Sequence, residues 1–177
     1  MNVETRLHHY HPAAKTFHWL VAALVFFVWP LGFLLDLVKS GVHNDFLFWH
    51  ASLGFTVFWL MLARLCVRFL TETPAKPSGM PAWLSGTAYL NQWLLYLALI
   101  SQPLIGFLLV SASKGMFTWF GIIPIPSPIG KSPAVAHTLA EIHQFLAWTI
   151  LVLIGLHICG ALYHRVIRKD DTLARMT

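Results

Sequence analysis

The chain has 177 residues, of which 57% are hydrophobic and only 11% are charged, and its formal net charge is +5. Soluble domains carry about a quarter charged residues, so this composition excludes a disordered chain and argues against an ordinary soluble domain. The 12 basic residues mostly flank apolar runs, which is typical of membrane topology signals and not of nucleic-acid binding. We therefore expect the lipid bilayer as a partner and no nucleic acid.

Four apolar segments are long enough to cross a bilayer, for which a helix needs about 20 residues. In chain order they cover residues 14–37, 46–70, 88–111 and 141–167. A lipid-facing segment must satisfy its own backbone hydrogen bonds, so each segment is predicted to be helical. The sequence therefore predicts one all-α domain over residues 1–177, an integral membrane four-helix bundle.

The connections between these spans differ in length. Residues 39–45 form a short link, whereas residues 71–86 contain several prolines and predict an irregular loop. The third connection, residues 115–136, is long, and loops of that length often carry function. The alternative is that its apolar stretch, residues 116–125, simply lies on the membrane surface.

Basic residues predict the orientation of the bundle. If both termini lie on one side, that side holds nine of the 12 basic residues, and the other side holds only Lys39, Lys114 and Lys131. The nine are Arg6, Lys15, Arg64, Arg68, Lys76, Arg165, Arg168, Lys169 and Arg175. Because basic residues concentrate on the cytoplasmic side of membrane proteins, both termini are predicted to be cytoplasmic.

Four histidines lie inside the predicted spans, where an ionisable side chain is expected to serve a function. His143 and His157 are 14 residues apart on the fourth span, on nearly the same helix face and roughly 21 Å apart along the axis. With the orientation above, His18 shares the inner depth with His157, and His50 shares the outer depth with His143. The alternative is that each ring only hydrogen-bonds to a neighbouring helix.

Two opposed imidazoles on facing helices can bind haem iron from both sides. Zinc would need four ligands, or an open position with carboxylates nearby, and the spans contain almost no carboxylates. The pattern therefore favours two haems, with His18 and His157 binding the inner iron and His50 and His143 the outer iron. An iron with both axial positions filled by protein is suited to electron transfer and not to oxygen binding.

Two glycines fit this interpretation. Gly32 lies on nearly the same helix face as His18, at the depth of the outer pair, and Gly54 is one turn from His50. Glycine lets a flat cofactor approach the backbone. The alternative is that both are ordinary small residues at helix contacts.

Taken together, these residues resemble the bacterial cytochrome b561 family over essentially the whole chain. The resemblance is carried by His18-Trp19, Trp49-His50, Arg64, Arg68, His143, His157 and the tail Lys169-Asp170-Asp171-Thr172-Leu173. It implies a di-haem b-type cytochrome of the bacterial inner membrane, with the ligand pairs named above, that exchanges electrons with the quinone pool. Some members are superoxide:quinone oxidoreductases, and others in the broader group serve other redox partners. We therefore expect two haem b as cofactors, ubiquinone as substrate, and superoxide or a periplasmic redox protein as donor.

Arg64 and His164 are the candidates for a quinone site near the inner haem. Arg64 reaches the depth of the inner pair, where it can pair with a haem propionate or an anionic quinone. His164 follows His157 almost in line and can supply a proton for quinone reduction, because imidazole titrates near neutral pH. The alternatives are a topology anchor for Arg64 and a solvated interfacial ring for His164.

Lys131 and His137 are the candidates for electron entry at the periplasmic side. Both lie in the outer part of the chain near His143, where positive charge attracts superoxide or an acidic patch on a partner. The alternative is routine solvation of a loop.

Three functional hypotheses are open from the sequence. The first is an oxidoreductase that takes electrons at the outer haem and reduces ubiquinone near Arg64 and His164. The second is a membrane-anchor subunit that exchanges quinol electrons with a protein partner. The third is a haem-free membrane protein whose histidines only bridge helices, and the matched depths argue against it.

Overall fold

The computed structural model describes residues 9–35, 37–38, 40–75 and 79–177. Its four long helices are α1 (Pro12–Leu34), α2 (Ser40–Leu70), α3 (Ala82–Lys114) and α4 (Pro133–Tyr163). α4 continues into a π-helical turn over His164–Arg168, and a 3-10 turn covers Ala174–Met176. All four helices are long and apolar enough to cross a membrane. The predicted all-α, membrane-spanning four-helix bundle is therefore confirmed.

Helix starts follow local capping chemistry. His11 caps α1 because its Nδ1 accepts a hydrogen bond from the Ala13 N–H at 3.2 Å, and Pro12 occupies the first helical position. Ser132 caps α4 by accepting from the Val135 N–H at 3.4 Å, again followed by a proline. α4 therefore begins at Pro133, well before the predicted span.

Consecutive helices pack side by side, α1 on α2, α2 on α3 and α3 on α4. α1 and α4 are bridged by large side chains. Trp29 donates a hydrogen bond to the Ala147 carbonyl at 3.1 Å, and its ring meets Trp148 edge-on with the centroids 5.6 Å apart. These side-chain contacts connect α1 to α4.

The buried core lies at mid-height in the bundle. Val21, Met61 and Ile150 are each at most 2% exposed. Along α4, Ile150 falls between His143 and His157. Because lipid tails are as apolar as these side chains, close packing and not removal from water holds the helices together in this layer, between the two levels where the histidines lie.

A short hairpin occupies the third connection, and the sequence analysis did not predict it. β1 (Phe117–Trp119) pairs antiparallel with β2 (Ile123–Ile125) around a turn with positive φ at Phe120 and Gly121. Trp119 donates from Nε1 to the Ser52 carbonyl at 3.1 Å, and the Phe120 N–H donates to Ser52 Oγ at 3.2 Å. The hairpin is therefore fastened to α2 two residues after His50.

The start of α1 and the C-terminal segment lie at the same end of the bundle, here named the inner end. The Tyr10 N–H donates to the Arg175 carbonyl at 3.2 Å, and Trp19 donates from Nε1 to the Met176 carbonyl at 2.9 Å. The hairpin marks the opposite, outer end. That the inner end faces the cytoplasm stays a prediction, and Arg6, Lys39 and Lys76, which partly support it, lie outside the described residues.

Candidate functional site

Two pairs of histidine rings face each other inside the bundle. Near the outer end, the ring centroids of His50 on α2 and His143 on α4 lie 6.0 Å apart. Near the inner end, those of His18 on α1 and His157 on α4 lie 6.1 Å apart. The structure thus brings together the same pairs that the sequence analysis formed by depth, with α4 contributing one ring to each.

The outer pair borders a cavity of about 340 Å³ lined by all four helices. His50 Nδ1 lies 3.0 Å from the Val28 carbonyl oxygen. A carbonyl can only accept, so Nδ1 carries the hydrogen and Nε2 is left with a lone pair. His50 therefore presents the form of imidazole that binds a metal through Nε2, held in orientation by the backbone of α1.

Two glycines make room for the outer rings. A Cβ atom at Gly32 would lie 2.6 Å from Cε1 of His50, and one at Gly106 would lie 2.9 Å from Cε1 of His143. The sequence analysis singled out Gly32 but missed Gly106, although a glycine within an apolar span is itself a signal of close approach. A Cβ atom at Gly54 would lie 3.9 Å from Cγ1 of Val28, and Gly54 itself lines the cavity beside His50.

Haem fits the two pairs by geometry. A metal–imidazole nitrogen bond is about 2 Å, so two rings on opposite sides of one iron have centroids about 6 Å apart. Both pairs have this separation. His143 Nδ1 is also buried without a hydrogen-bond partner among the described residues. A buried polar atom in this state indicates a site that a ligand or a water molecule completes.

The donor set fits as well. Within the described ranges, no three His, Cys, Asp or Glu side chains gather as a metal site. Each level therefore offers two imidazoles, too few for a structural zinc and sufficient for an iron whose other four positions are porphyrin nitrogens.

Arg64 reaches the inner pair from α2. Its Nη2 lies 2.8 Å from Nδ1 of His18, and because a guanidinium only donates, His18 Nδ1 accepts this bond and the hydrogen of the neutral ring is on Nε2. Binding of iron by His18 through Nε2 therefore requires this contact with Arg64 to be released. The guanidinium carbon also lies 5.1 Å from the centre of the Tyr96 ring. Arg64 is therefore held against one of the predicted ligands.

Arg68 lies one turn beyond Arg64 and contacts aromatic rings, with its guanidinium carbon 5.2 Å from the centre of Trp93 and 5.5 Å from that of Tyr96. A small cavity of about 30 Å³ beside the two arginines is also lined by Tyr10 and Met176. The inner end thus combines two cations with phenol groups close to His18.

His164 is buried, with only 7% of its surface exposed, so the alternative of a solvated ring is wrong. Its Nδ1 lies 2.7 Å from Oδ2 of Asp170. Asp170 also accepts bonds from Arg168 Nε at 3.1 Å and from Thr172 Oγ1 at 2.6 Å. Burial alone would raise the pKa of Asp170, but hydrogen bonds from Thr172, His164 and Arg168 outweigh it and hold that pKa well below its usual range.

The outer candidates Lys131 and His137 make separate contacts. His137 is exposed, and its Nδ1 lies 3.8 Å from Glu141 Oε2 across one helical turn. The Lys131 stem packs over Gly115, where a Cβ would lie 2.6 Å from Lys131 Cε. No hydrogen bond joins either side chain to His143 in the part of the chain that the structure describes.

Comparison with known proteins agrees with this arrangement. A family model described as "Prokaryotic cytochrome b561" matches residues 9–177. The chain is 32% identical to the Yersinia pestis protein named "Probable superoxide oxidase CybB", over 90% of both chains. It is 30% identical to "Cytochrome b561 homolog 2" of Escherichia coli strain K12, over 94% of this chain and 90% of that one. The chain therefore belongs to the prokaryotic cytochrome b561 family, and it is a multi-pass bacterial membrane protein with b-type haem that takes part in membrane electron transfer.

Proposed function

We propose that the chain is a di-haem oxidoreductase of the inner membrane that transfers electrons from a periplasmic donor to ubiquinone. His50 and His143 would hold the outer haem, and His18 and His157 the inner one. The observation that carries the proposal is the equal ring separation, 6.0 and 6.1 Å, at two levels joined by a single helix, α4.

When bound, haem supplies a one-electron couple between ferric and ferrous iron. The residues of the chain set its surroundings. The Val28 carbonyl orients His50, Gly32 and Gly106 leave room for the outer rings, and the apolar core excludes water between the two levels. Histidine ligands on both sides of each haem would favour electron transfer over oxygen binding.

The proposed donor is superoxide. A Yersinia pestis relative is named as a superoxide oxidase, and the exposed Lys131 adds positive charge at the outer end, which attracts an anion. Each superoxide ion would lose one electron and become dioxygen. Two such electrons, with two protons, convert one ubiquinone to ubiquinol.

The proposed quinone site lies at the inner end, near Arg64 and His164. Arg64 can donate a hydrogen bond to a quinone oxygen, and a cation there stabilises the negative charge that develops during reduction. His164 lies seven residues beyond His157 on the same helix and can supply a proton.

The first test is haem extraction and optical spectroscopy of the purified full-length chain. We expect two low-spin b haems per chain, and one haem in each of His143→Ala and His157→Ala, because the ligands of the two levels are separated by the core. His137→Ala is the matched control and should keep both haems, since His137 is an exposed histidine of the same helix. Loss of both haems from either ligand variant would contradict two independent sites.

The second test is superoxide-dependent reduction of ubiquinone by the isolated chain. Activity without any partner supports the proposed donor. A di-haem chain that is oxidised by quinone but not reduced by superoxide would instead support the membrane-anchor subunit with a protein partner.

A further inference from the structure

We propose that Asp170 is a positioning residue for quinone reduction, which fixes His164 with its hydrogen on Nδ1 and reserves Nε2 for proton transfer to the quinone. This inference rests on the proposed reduction of quinone at the inner end. It assigns a role to the C-terminal turn, residues 169–173, which has none in the proposal above.

The carboxylate of Asp170 acts only as an acceptor. Its Oδ2 accepts from His164 Nδ1 at 2.7 Å and from Arg168 Nε at 3.1 Å, and its Oδ1 accepts from the Thr172 N–H at 3.1 Å and Thr172 Oγ1 at 2.6 Å. Four donors around one carboxylate favour its ionised form. An ionised carboxylate beside Nδ1 requires a hydrogen on Nδ1, so the tautomer of His164 is fixed.

The backbone is shaped to make this contact. α4 widens into a π-helical turn at His164–Arg168, and Lys169 then adopts a left-handed conformation with φ of 53°. The chain thereby turns back, and the Asp170 N–H donates to the His164 carbonyl at 3.2 Å. A positive φ is unfavourable for lysine, and π-helical turns occur often at functional sites, so this geometry indicates a selected contact.

His164 lies where a proton donor is needed. It follows His157 by seven residues, which places both on nearly one helix face and roughly 10 Å apart along the axis. The residue therefore lies below the inner pair on the same helix, and it is 7% exposed. Asp170 occupies Nδ1, so Nε2 is the only ring nitrogen left to exchange a proton.

The proton step is simple in outline. As ubiquinone accepts electrons, the N–H bond at Nε2 of protonated His164 breaks and an O–H bond forms on the quinone oxygen. The neutral ring keeps its hydrogen on Nδ1 and takes a new proton at Nε2 from water at the inner end. Asp170 stays ionised throughout and stabilises the cationic ring before transfer, as carboxylate partners of catalytic histidines do.

The test compares Asp170→Asn, His164→Gln, the double variant and Asp171→Asn in the full-length, haem-loaded protein. Asparagine removes the charge and replaces one acceptor oxygen by an NH₂ group. We expect kcat for ubiquinone reduction to fall roughly 100-fold in Asp170→Asn and His164→Gln, the lower range for loss of a positioned general acid, with KM nearly unchanged. In the double variant kcat should fall no further than in His164→Gln, because Asp170 acts on the reaction through His164.

Asp171→Asn is the matched control, since Asp171 is the adjacent carboxylate and its ion-pair partner among the described residues is Arg175, at 2.9 Å. It should keep parental kcat, and all variants should keep the parental haem spectrum. An equal loss in Asp171→Asn, additive losses in the double variant, or a rise in KM at constant kcat would each overturn the proposal.

A second readout does not depend on turnover. In protein labelled with ¹⁵N-histidine and reduced to its diamagnetic state, comparison with His164→Gln identifies the signals of His164. Hydrogen on Nδ1 is expected, and hydrogen on Nε2 alone would overturn the inference. If the parent shows the expected tautomer but reduces no quinone, then the proposed function fails and the role assigned to Asp170 fails with it.

Discussion

At the scale of single residues, the outer site depends on two positions that lack a side chain. A Cβ at Gly32 would lie 2.6 Å from Cε1 of His50, a distance at which the ring must move. His50 cannot rotate freely, because its Nδ1 is held by the Val28 carbonyl at 3.0 Å. The smallest possible substitution should therefore displace the proposed ligand.

We expect Gly32→Ala to lower the haem content from two per chain towards one, or to shift the absorption of one haem, while the inner haem is retained. Haem extraction and the reduced-minus-oxidised spectrum measure both effects. Gly155→Ala is the control, because a Cβ there has no neighbour within 4 Å. Two unaltered haems in Gly32→Ala would mean that the ring of His50 is not confined as described.

The sequence predicts which residues face the interior wherever helical periodicity alone determines the side of the helix on which they lie. His18, His50, His143 and His157 follow from span boundaries and 3.6-residue periodicity. Gly106 did not, because its importance comes from a ring on another helix, His143. The contact between His164 and Asp170 could not be predicted for a related reason. It depends on a π-helical turn, and the periodicity of the sequence does not indicate such a turn.

At the scale of elements, the hairpin is the part of the fold that the sequence signalled least. Its strands have three residues each, too short for a visible alternation, and its turn carries Phe120-Gly121 in place of the usual Asn-Gly or Asp-Gly. What holds it in place is a tertiary contact, the bonds from Trp119 to Ser52 and Thr56. The start of α4, in contrast, was readable from Ser132-Pro133.

Trp119→Phe should loosen the hairpin while keeping an aromatic ring in place. It removes the bonds from Nε1 to the Ser52 carbonyl at 3.1 Å and to Thr56 Oγ1 at 3.2 Å. Each such bond contributes about 0.5–1.5 kcal/mol, so thermal unfolding in detergent should shift to lower temperature. Trp83→Phe is the control, because Trp83 is 69% exposed. An equal shift in both variants would show that the hydrogen bonds of Trp119 do not stabilise the protein.

The C-terminal turn gives a stability prediction with a defined pH dependence. Hydrogen bonds from Thr172, His164 and Arg168 overcome the opposing effect of burial and lower the pKa of Asp170 from its usual 3.8. A lowered pKa in the folded state means that this carboxylate stabilises the fold above about pH 4 and loses that effect as the pH falls towards the lowered value. Asp170→Ala should therefore unfold at lower temperature than the parent at pH 7, and the difference should shrink at pH 3. A difference that is the same at both pH values would contradict an ionised Asp170.

At the scale of the whole molecule, the two ends of the bundle differ in chemistry. The inner end gathers Arg64, Arg68 and the C-terminal turn, whereas the outer end holds the hairpin and an open cavity beside His50. In the proposed function, quinone reduction takes up protons at the inner end, and superoxide approaches the outer end from the periplasm. The proposed function therefore requires one orientation in the bilayer, with the inner end in the cytoplasm.

Cysteine labelling tests that orientation directly. In a background without Cys66 and Cys159, Gly130→Cys places a thiol in the outer connection and Glu72→Cys one in the inner connection, and both positions are exposed. Because basic residues concentrate at the inner end and are retained in the cytoplasm, a membrane-impermeant maleimide applied to intact cells should label Gly130→Cys and not Glu72→Cys. Both thiols should react once the membrane is opened, which shows that each is accessible. The reverse pattern in intact cells would place Arg64 and His164 on the periplasmic side, and quinone reduction would then draw its protons from there.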